Sequence, residues 1–308
     1  MLQETVYHLK TYQGHYGDKI GAKSLIKIDL ARGCGFCFGV REAIKKAQKA
    51  ANDYGDVQML GDIVHNEHVV QDLAKKGIHV VENLDAVDSS RPLLLRAHGT
   101  EKAIVAAAAE RNLFTIDATC PLVLDIHKEI KELEAERRTI FIIGDHDHDE
   151  VRGIQSQVDK ATVLSSPKEA EAIPRLKKAG VVSQSTQAME NFTAIVAILA
   201  EKIHDLRVVN TICHPTRQNQ TEIKRIAAEN ELVIVIGSQT SANSKRLREV
   251  AAAINPRSYQ VENAAELQPQ WFENVQSVGI SAGASTPDSQ IQELIARIRQ
   301  IDEARLST

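Results

Sequence analysis

Three cysteines in the 308-residue sequence occupy the same kind of place. The segments KIDLARGCGFC, FTIDATC and LRVVNTIC each run a strand-like stretch into a thiol that precedes a helical pattern. They are Cys37, Cys120 and Cys213, separated by 83 and then 93 residues. A thiol at the start of a helix is poised as thiolate, because the helix dipole and the free backbone N–H groups favour negative charge. Three such thiolates from three segments could hold one metal centre. Zinc is one candidate, yet structural zinc usually takes ligands in close CxxC pairs. Cys34 and Cys37 have that spacing, but the sequence offers no second pair and no His-x₃₋₅-His partner. Isolated, widely spaced ligands suit an iron–sulfur cluster bound between domains. With three cysteines instead of the usual four, one iron would stay open to substrate, as catalytic zinc keeps one position open. A structural role for all three stays open, since cysteine is also a small core residue.

Other polar residues stand at comparable points. His65 in GDIVHNEHVV and His98 in RAHGT each precede a helical pattern, as do Ser241, Asn243 and Ser285. A single histidine is most often an ordinary hydrogen-bonded residue. Two at equivalent places, with small hydroxyl and amide residues at helix starts, suggest a phosphate cradle built on helix N-termini. No Lys or Arg dominates these loops. The most polar segment is Gly144–Glu150, GDHDHDE, whose plain reading is a solvated acidic loop. It is no EF-hand: with Asp145 as position 1, position 6 is Glu150 and position 12 is Ser156. His148 and Glu150 could instead supply a proton at a buried centre, because burial raises a carboxylate's pKa and keeps it protonated near neutrality. Two nucleotide motifs fall short. Gly33–Gly39 reads GxGxxxG, but Phe36 and Cys37 crowd the turn a pyrophosphate would approach. Gly17–Ser24 looks like a P-loop with Ala22 in the place of its second glycine.

The elements that must position these loops alternate almost from end to end. Strand-like runs lie at Leu25–Leu30, Gln58–Leu60, Leu93–Arg96, Phe114–Ile116, Ile140–Ile143, Gly180–Ser183, Arg207–Asn210, Leu232–Ile236 and Ser277–Ser281. Helical patterns follow at Val40–Asn52, Glu67–Lys76, Ala103–Arg111, Pro121–Glu136, Met189–Asp205, Thr221–Asn230, Ser244–Ile254 and Pro287–Ile301. Short apolar strands alternating with helices predict an α/β fold with mainly parallel sheets covered on both faces. The cysteine spacing suggests three similar units of about 90 residues, a common domain size. In such sheets ligands sit beyond the carboxyl ends of the strands, where all the unusual polar residues fall.

Composition narrows the function classes. The 37 basic and 41 acidic side chains give a net charge of −4, so no global field draws the chain to nucleic acid or anionic lipid. Aromatics at 4% disfavour stacking platforms for single strands. No apolar run approaches the roughly 18 residues of a spanning helix, and residues 1–24 lack an apolar signal region. The expectation is a soluble cytoplasmic protein without nucleic-acid or membrane partners.

GFCFGV, GDIVHN, RAHG, DATCPLV, Glu150-Val-Arg-Gly153, SQST, NTIC, the SxNS pattern at 241–244 and AGASTPD come in a fixed order. In that order the chain resembles the IspH/LytB family of 4-hydroxy-3-methylbut-2-enyl diphosphate reductases, over roughly residues 26–300. The resemblance implies a trefoil of three α/β domains around a central 4Fe–4S cluster. It divides the chain into an extension at 1–25 and domains at 26–119, 120–212 and 213–308. It maps the cluster ligands onto Cys37, Cys120 and Cys213, leaving the Cys34 pairing incidental. The diphosphate pocket maps onto His65, His98, Ser241, Asn243 and Ser285. Proton delivery maps onto His148 and Glu150, with Ser185 keeping the hydroxyl of a family threonine. The implied chemistry removes an allylic hydroxyl reductively, giving isopentenyl or dimethylallyl diphosphate, with electrons from a ferredoxin- or flavodoxin-like partner. Ala242, Asp149 and the loop His214–Gln220 depart from the commoner family pattern, leaving as the alternative a paralogue that acts on a related substrate or serves as a sensor.

Overall fold

The computed structural model describes residues 25–307. Apart from Leu25, the expected extension lies outside the described residues, as does the P-loop-like stretch 17–24. The chain begins β1 (Lys27–Leu30), α1 (Phe38–Tyr54), β2 (Val57–Leu60), α2 (Glu67–Ala74), β3 (Ile78–Val81), β4 (Leu93–Leu95), α3 (Lys102–Glu110), β5 (Thr115–Asp117). It continues α4 (Pro121–Ala135), β6 (Thr139–Ile143), α5 (Asp149–Gln155), β7 (Ala161–Leu164), α6 (Pro167–Glu171), β8 (Leu176–Ser183), α7 (Met189–Lys202), β9 (Ile203–Val208). Then come α8 (His214–Glu229), β10 (Leu232–Ile236), α9 (Ala242–Ala252), β11 (Ser258–Val261), β12 (Ser277–Ala282) and α10 (Asp288–Ser307).

These strands form three four-stranded sheets, parallel throughout, in the orders β5-β4-β2-β3, β9-β8-β6-β7 and β1-β12-β10-β11. Written in that direction, the three orders correspond strand for strand. The first strand of each, at the sheet edge, runs into a cysteine; the two central strands run into the other polar loops. The helix after each cysteine then crosses to the next sheet. The arrangement closes cyclically, because β1 pairs in register with β12, Lys27 opposite Ser277 and Leu30 opposite Ile280. Residues 27–30 thus share a sheet with 232–282, not with the strands that follow them in sequence.

Each sheet is covered on both faces by helices. Ala43, Ala47 and Ala50 form one face of α1 and pack with Val57 and Met59 of β2; their small side chains let the helix lie close. The all-apolar β10 is sandwiched, with Ile234 and Ile236 facing α10 residues Ile291, Leu294 and Ile298, and Val233 and Val235 facing Ile223, Ile226 and Leu247. Helices α3 and α4 stop where Asn112 and Arg137 turn left-handed (φ 54° and 55°). There the Leu113 and Arg138 N–H groups reach back to the Ala108 and Leu133 carbonyls, closing the final turn.

The structure differs from the sequence expectation in places. The helix expected to run to Asp205 ends at Lys202, because Ile203 and Asp205 pair with Leu176 and Lys178 of β8; sheet pairing overrides local helical pattern there. The helix expected from Thr221 begins at His214, directly after Cys213. Strands β3, β7 and β11 were not expected, since each mixes buried with half-buried or exposed positions in four residues. Within the acidic loop, α5 starts at Asp149. Among the described residues no helix is long and apolar enough to cross a membrane.

Candidate functional site

Cys37, Cys120 and Cys213 are the N-caps of α1, α4 and α8, and none of the three thiols caps its own helix by a side-chain hydrogen bond. Each is placed the same way by its backbone. The Cys37 N–H donates to the Ala284 carbonyl (3.0 Å), Cys120 to Ala97 (2.9 Å) and Cys213 to Ser185 (3.0 Å). In every case the acceptor lies just past the strand beside the cysteine's own. Three edge strands thereby deliver three thiols to one cavity, which holds about 770 Å³ of atom-free space. Gly39 makes room for the convergence: a Cβ there would stand 2.4 Å from Cys120 Sγ.

No three of the described His, Cys, Asp and Glu side chains are gathered closely enough to hold a single metal ion. A lone zinc therefore finds no preformed site, whereas a multi-atom cage asks only that the thiols border the same space. Burial pushes the Cys213 thiol up to about 11 and raises that of Cys120, with the N–H groups of Leu122 and Val123 opposing in the second case. Thr216 Oγ1 lies 3.1 Å from Cys213 Sγ. Buried thiols without a cation beside them are a donor set that ionises when a metal centre arrives and displaces the protons. Cys34 has a different setting. It packs against the core around β1 and α10, and burial raises its thiol to about 11; it does not border the cavity.

Three imidazoles meet at the same cavity. His65 and His98 stack at 4.3 Å between ring centres, and His148 stands edge-on to both at 5.2 and 5.7 Å. Burial, helped by mutual repulsion, drives His98 well below the ordinary imidazole value and His148 to about 4, and burial also lowers His65. Burial thus favours the neutral form of all three. The tautomer of His148 is fixed: its Nδ1 accepts from the Glu150 N–H at 3.1 Å, so the proton is on Nε2. His65 Nε2, His98 Nδ1 and Asn243 Nδ2 are buried without a partner among the described residues. Orphaned polar atoms of this kind are rare in folded proteins and imply a polar occupant. Ser285 donates to the His65 carbonyl (3.1 Å), and Ser241 Oγ accepts from the Ser244 N–H (3.3 Å) as the cap of α9.

Glu150, 1% exposed, borders the cavity as well. One carboxylate oxygen accepts from the Ser185 N–H and the other from the Ser185 hydroxyl, at 2.8 Å. Burial outweighs both bonds and lifts its pKa to about 7. Two ion pairs brace its surroundings. Arg246, which also favours the ionised form of Glu150, is held by Asp145 (2.7 Å) and Gln187 (3.1 Å). Asp149 pairs with Arg96 (2.6 Å), tying the first turn of α5 to the strand end that carries His98.

All eleven residues singled out from the sequence border this cavity. Thr186, Thr216 and Ala242 border it as well; the hydroxyl run SQST and the CHPT turn were signals for the first two. The bracing pairs Arg96–Asp149 and Arg246–Asp145 had no sequence signal, because they join residues 53 and 101 positions apart.

The family model described as LytB protein matches residues 28–299. The chain is 41% identical over 281 residues to a protein of Geobacter sulfurreducens named 4-hydroxy-3-methylbut-2-enyl diphosphate reductase, covering 91% of this chain and 99% of that one. A Geobacter metallireducens protein of the same name is 40% identical over 283 residues, 92% of this chain and all of the other. Among solved structures, the E-1-hydroxy-2-methyl-but-2-enyl-4-diphosphate reductase of Plasmodium falciparum superposes with a TM-score of 0.85 at 28% identity, covering 89% of this chain and 88% of its own. A second, described as the terminal enzyme of the non-mevalonate pathway, gives 0.64 at 34% identity over 90% of this chain and all of the other.

Proposed function

Because the chain belongs to the LytB family, we propose that it reduces 4-hydroxy-3-methylbut-2-enyl diphosphate to isopentenyl and dimethylallyl diphosphate, the last step of the non-mevalonate isoprenoid pathway. The observation that carries this reading is one cavity bordered both by three N-cap thiols and by partnerless imidazole and amide groups. Cys37, Cys120 and Cys213 would hold a 4Fe–4S cluster, which would supply electrons one at a time. The reaction takes two electrons and two protons, breaks the C–O bond and releases water.

This chain's own residues bind, orient and deliver protons. His65, His98 and Asn243 offer their unpaired polar atoms to the diphosphate, and Ser241 and Ser285 shape the loops that bring them in. An anion beside the neutral imidazoles raises their pKa and draws protons onto them, so the pocket gains charge as it fills. Ser185 fixes the Glu150 carboxyl with two hydrogen bonds, and His148 caps its helix. With a pKa of about 7, Glu150 is substantially protonated at neutral pH and can give its proton to the departing oxygen or the allylic carbon. Electrons come from a ferredoxin- or flavodoxin-like protein, and the work is done in the cytoplasm.

Anaerobic purification tests the reading. The protein should carry about four irons and four sulfides per chain, lose them in Cys120→Ser, and release both isoprenoid diphosphates when reduced with the allylic diphosphate. A loaded protein that binds this substrate without turning it over would sink the enzymatic reading in favour of a sensor.

A further inference from the structure

The threefold correspondence of the sheets has a counterpart on the outer surface. Counting from each cysteine N-cap, the first helical residues are Phe38, Pro121 and His214, and the fourth are Arg41, Leu124 and Arg217. All six are exposed. The fourth residue stands one turn above its cysteine on the same helix face, since the N–H groups of Arg41, Leu124 and Arg217 donate to the carbonyls of Cys37, Cys120 and Cys213. The two apolar members are large and open, Phe38 at 57% and Leu124 at 46%.

The charges are placed against local preference. Helix N-termini favour acidic residues and disfavour cations, yet α1, α4 and α8 have no acid in their first turns. Neither Arg41 nor Arg217 has a carboxylate partner among the described residues, although 24 ion pairs are formed elsewhere. Glu42 is occupied by Lys45; Asp125 in α4, and Asp288, whose carboxylate lies beside Gly35, form no ion pair among the described residues. Two uncompensated guanidinium groups, sharing a ring with apolar side chains over three thiols, form a surface that an anionic partner would complete.

We propose that this ring is the docking surface for a small electron-carrier protein whose redox centre is framed by carboxylates; the inference rests on the cluster being held by the three cysteines. Each encounter oxidises the carrier by one electron and reduces the thiolate-held group by one. Two encounters, with two protons, supply one turnover. Arg41 and Arg217 steer and orient the carrier by charge, while Phe38, Pro121 and Leu124 form the dry centre of the contact. The polar loops that receive the diphosphate follow the central strands of the sheets, whereas the ring follows the edge strands.

The test uses the cluster-loaded protein and its R41E/R217E double variant, with a reduced plant-type ferredoxin as carrier and reduced methyl viologen as a small reductant. The variant should keep its rate with methyl viologen, while its KM for ferredoxin rises about tenfold or more, as expected for loss of steering charges. Calorimetric binding of oxidised ferredoxin should weaken by the same factor. The wild-type Kd should rise with added salt and the variant's should not. Arg41→Lys with Arg217→Lys should restore most of the affinity. Unchanged ferredoxin KM and Kd would overturn the proposal. So would an equal loss with methyl viologen, or a sedimentation experiment showing that the arginines join two copies of this chain. Failure of the wild type to turn over with methyl viologen would instead refute the reductase reading, with the binding arm still deciding the surface.

Discussion

Replacing Glu150 by Gln should change how the cluster-free protein responds to pH. The folded carboxyl has a pKa of about 7 against an ordinary 4.5. In its buried setting the ionised form is therefore disfavoured by about 3 kcal/mol, at 1.36 kcal/mol per pH unit. The direction follows from the raised value. Below pH 4.5 the group is protonated in both folded and unfolded chains and costs nothing. As pH rises from 4.5 to 7 the unfolded chain ionises and the folded one does not, so stability falls, and above about pH 8 the loss is complete. Gln keeps the size and one acceptor of Glu without titrating. The assay is urea unfolding of wild type and Glu150→Gln in parallel between pH 4.5 and 8, well below the Cys213 thiol at about 11. Subtracting the two stabilities removes the titrations they share. The variant should gain on the wild type progressively, by about 3 kcal/mol across the range. Parallel curves would show that burial does not govern this carboxyl and would remove the physical basis for its protonation at neutral pH.

The same pKa predicts that turnover with methyl viologen falls as pH rises through about 7, and that Glu150→Gln keeps cluster and substrate binding but loses both most of the rate and that pH limb. Gly39→Ala should place a methyl 2.4 Å from the Cys120 thiol, so iron content should drop sharply while circular dichroism remains that of a folded chain. His98→Asn should weaken diphosphate binding by about 1–3 kcal/mol, the range for a hydrogen bond to a charged group; titration calorimetry with the substrate reads it, and unchanged affinity would remove His98 from the anion wall. A double-mutant cycle on Arg96 and Asp149, 14% and 16% exposed, should give a coupling of about 1–3 kcal/mol, more than a surface pair yields; chemical unfolding of the four variants measures it.

The site was more legible in the sequence than the fold that carries it. Each cysteine of the cavity, with His65 and His98, follows a strand-like run and precedes a helix, a local pattern visible in about ten residues. The edge strands β3, β7 and β11 have no such pattern, since each is only partly buried and pairing to β2, β6 and β10 makes them strands. The end of α7 was misread because pairing to β8 decides it. The ion pairs at Asp149 and Arg246 are invisible to any local rule. Asp149 was legible only as an unusual neighbour of Glu150; its partner Arg96 gives it a task.

The cyclic closure of the three sheets has a consequence for how the molecule is made. Strand β1 is made before every other described strand, yet its neighbour β12 lies about 250 residues later, and the Ile26 N–H waits for Asp302, 276 positions away. The middle units can mature as they appear, while β1 remains unmated until β12 has been made. Moving residues 25–36 to follow α10, so that translation begins near Cys37, would turn that longest-range pairing into a neighbourly one. Such a circular permutant should refold faster than the native order, because loop closure no longer spans the whole polypeptide.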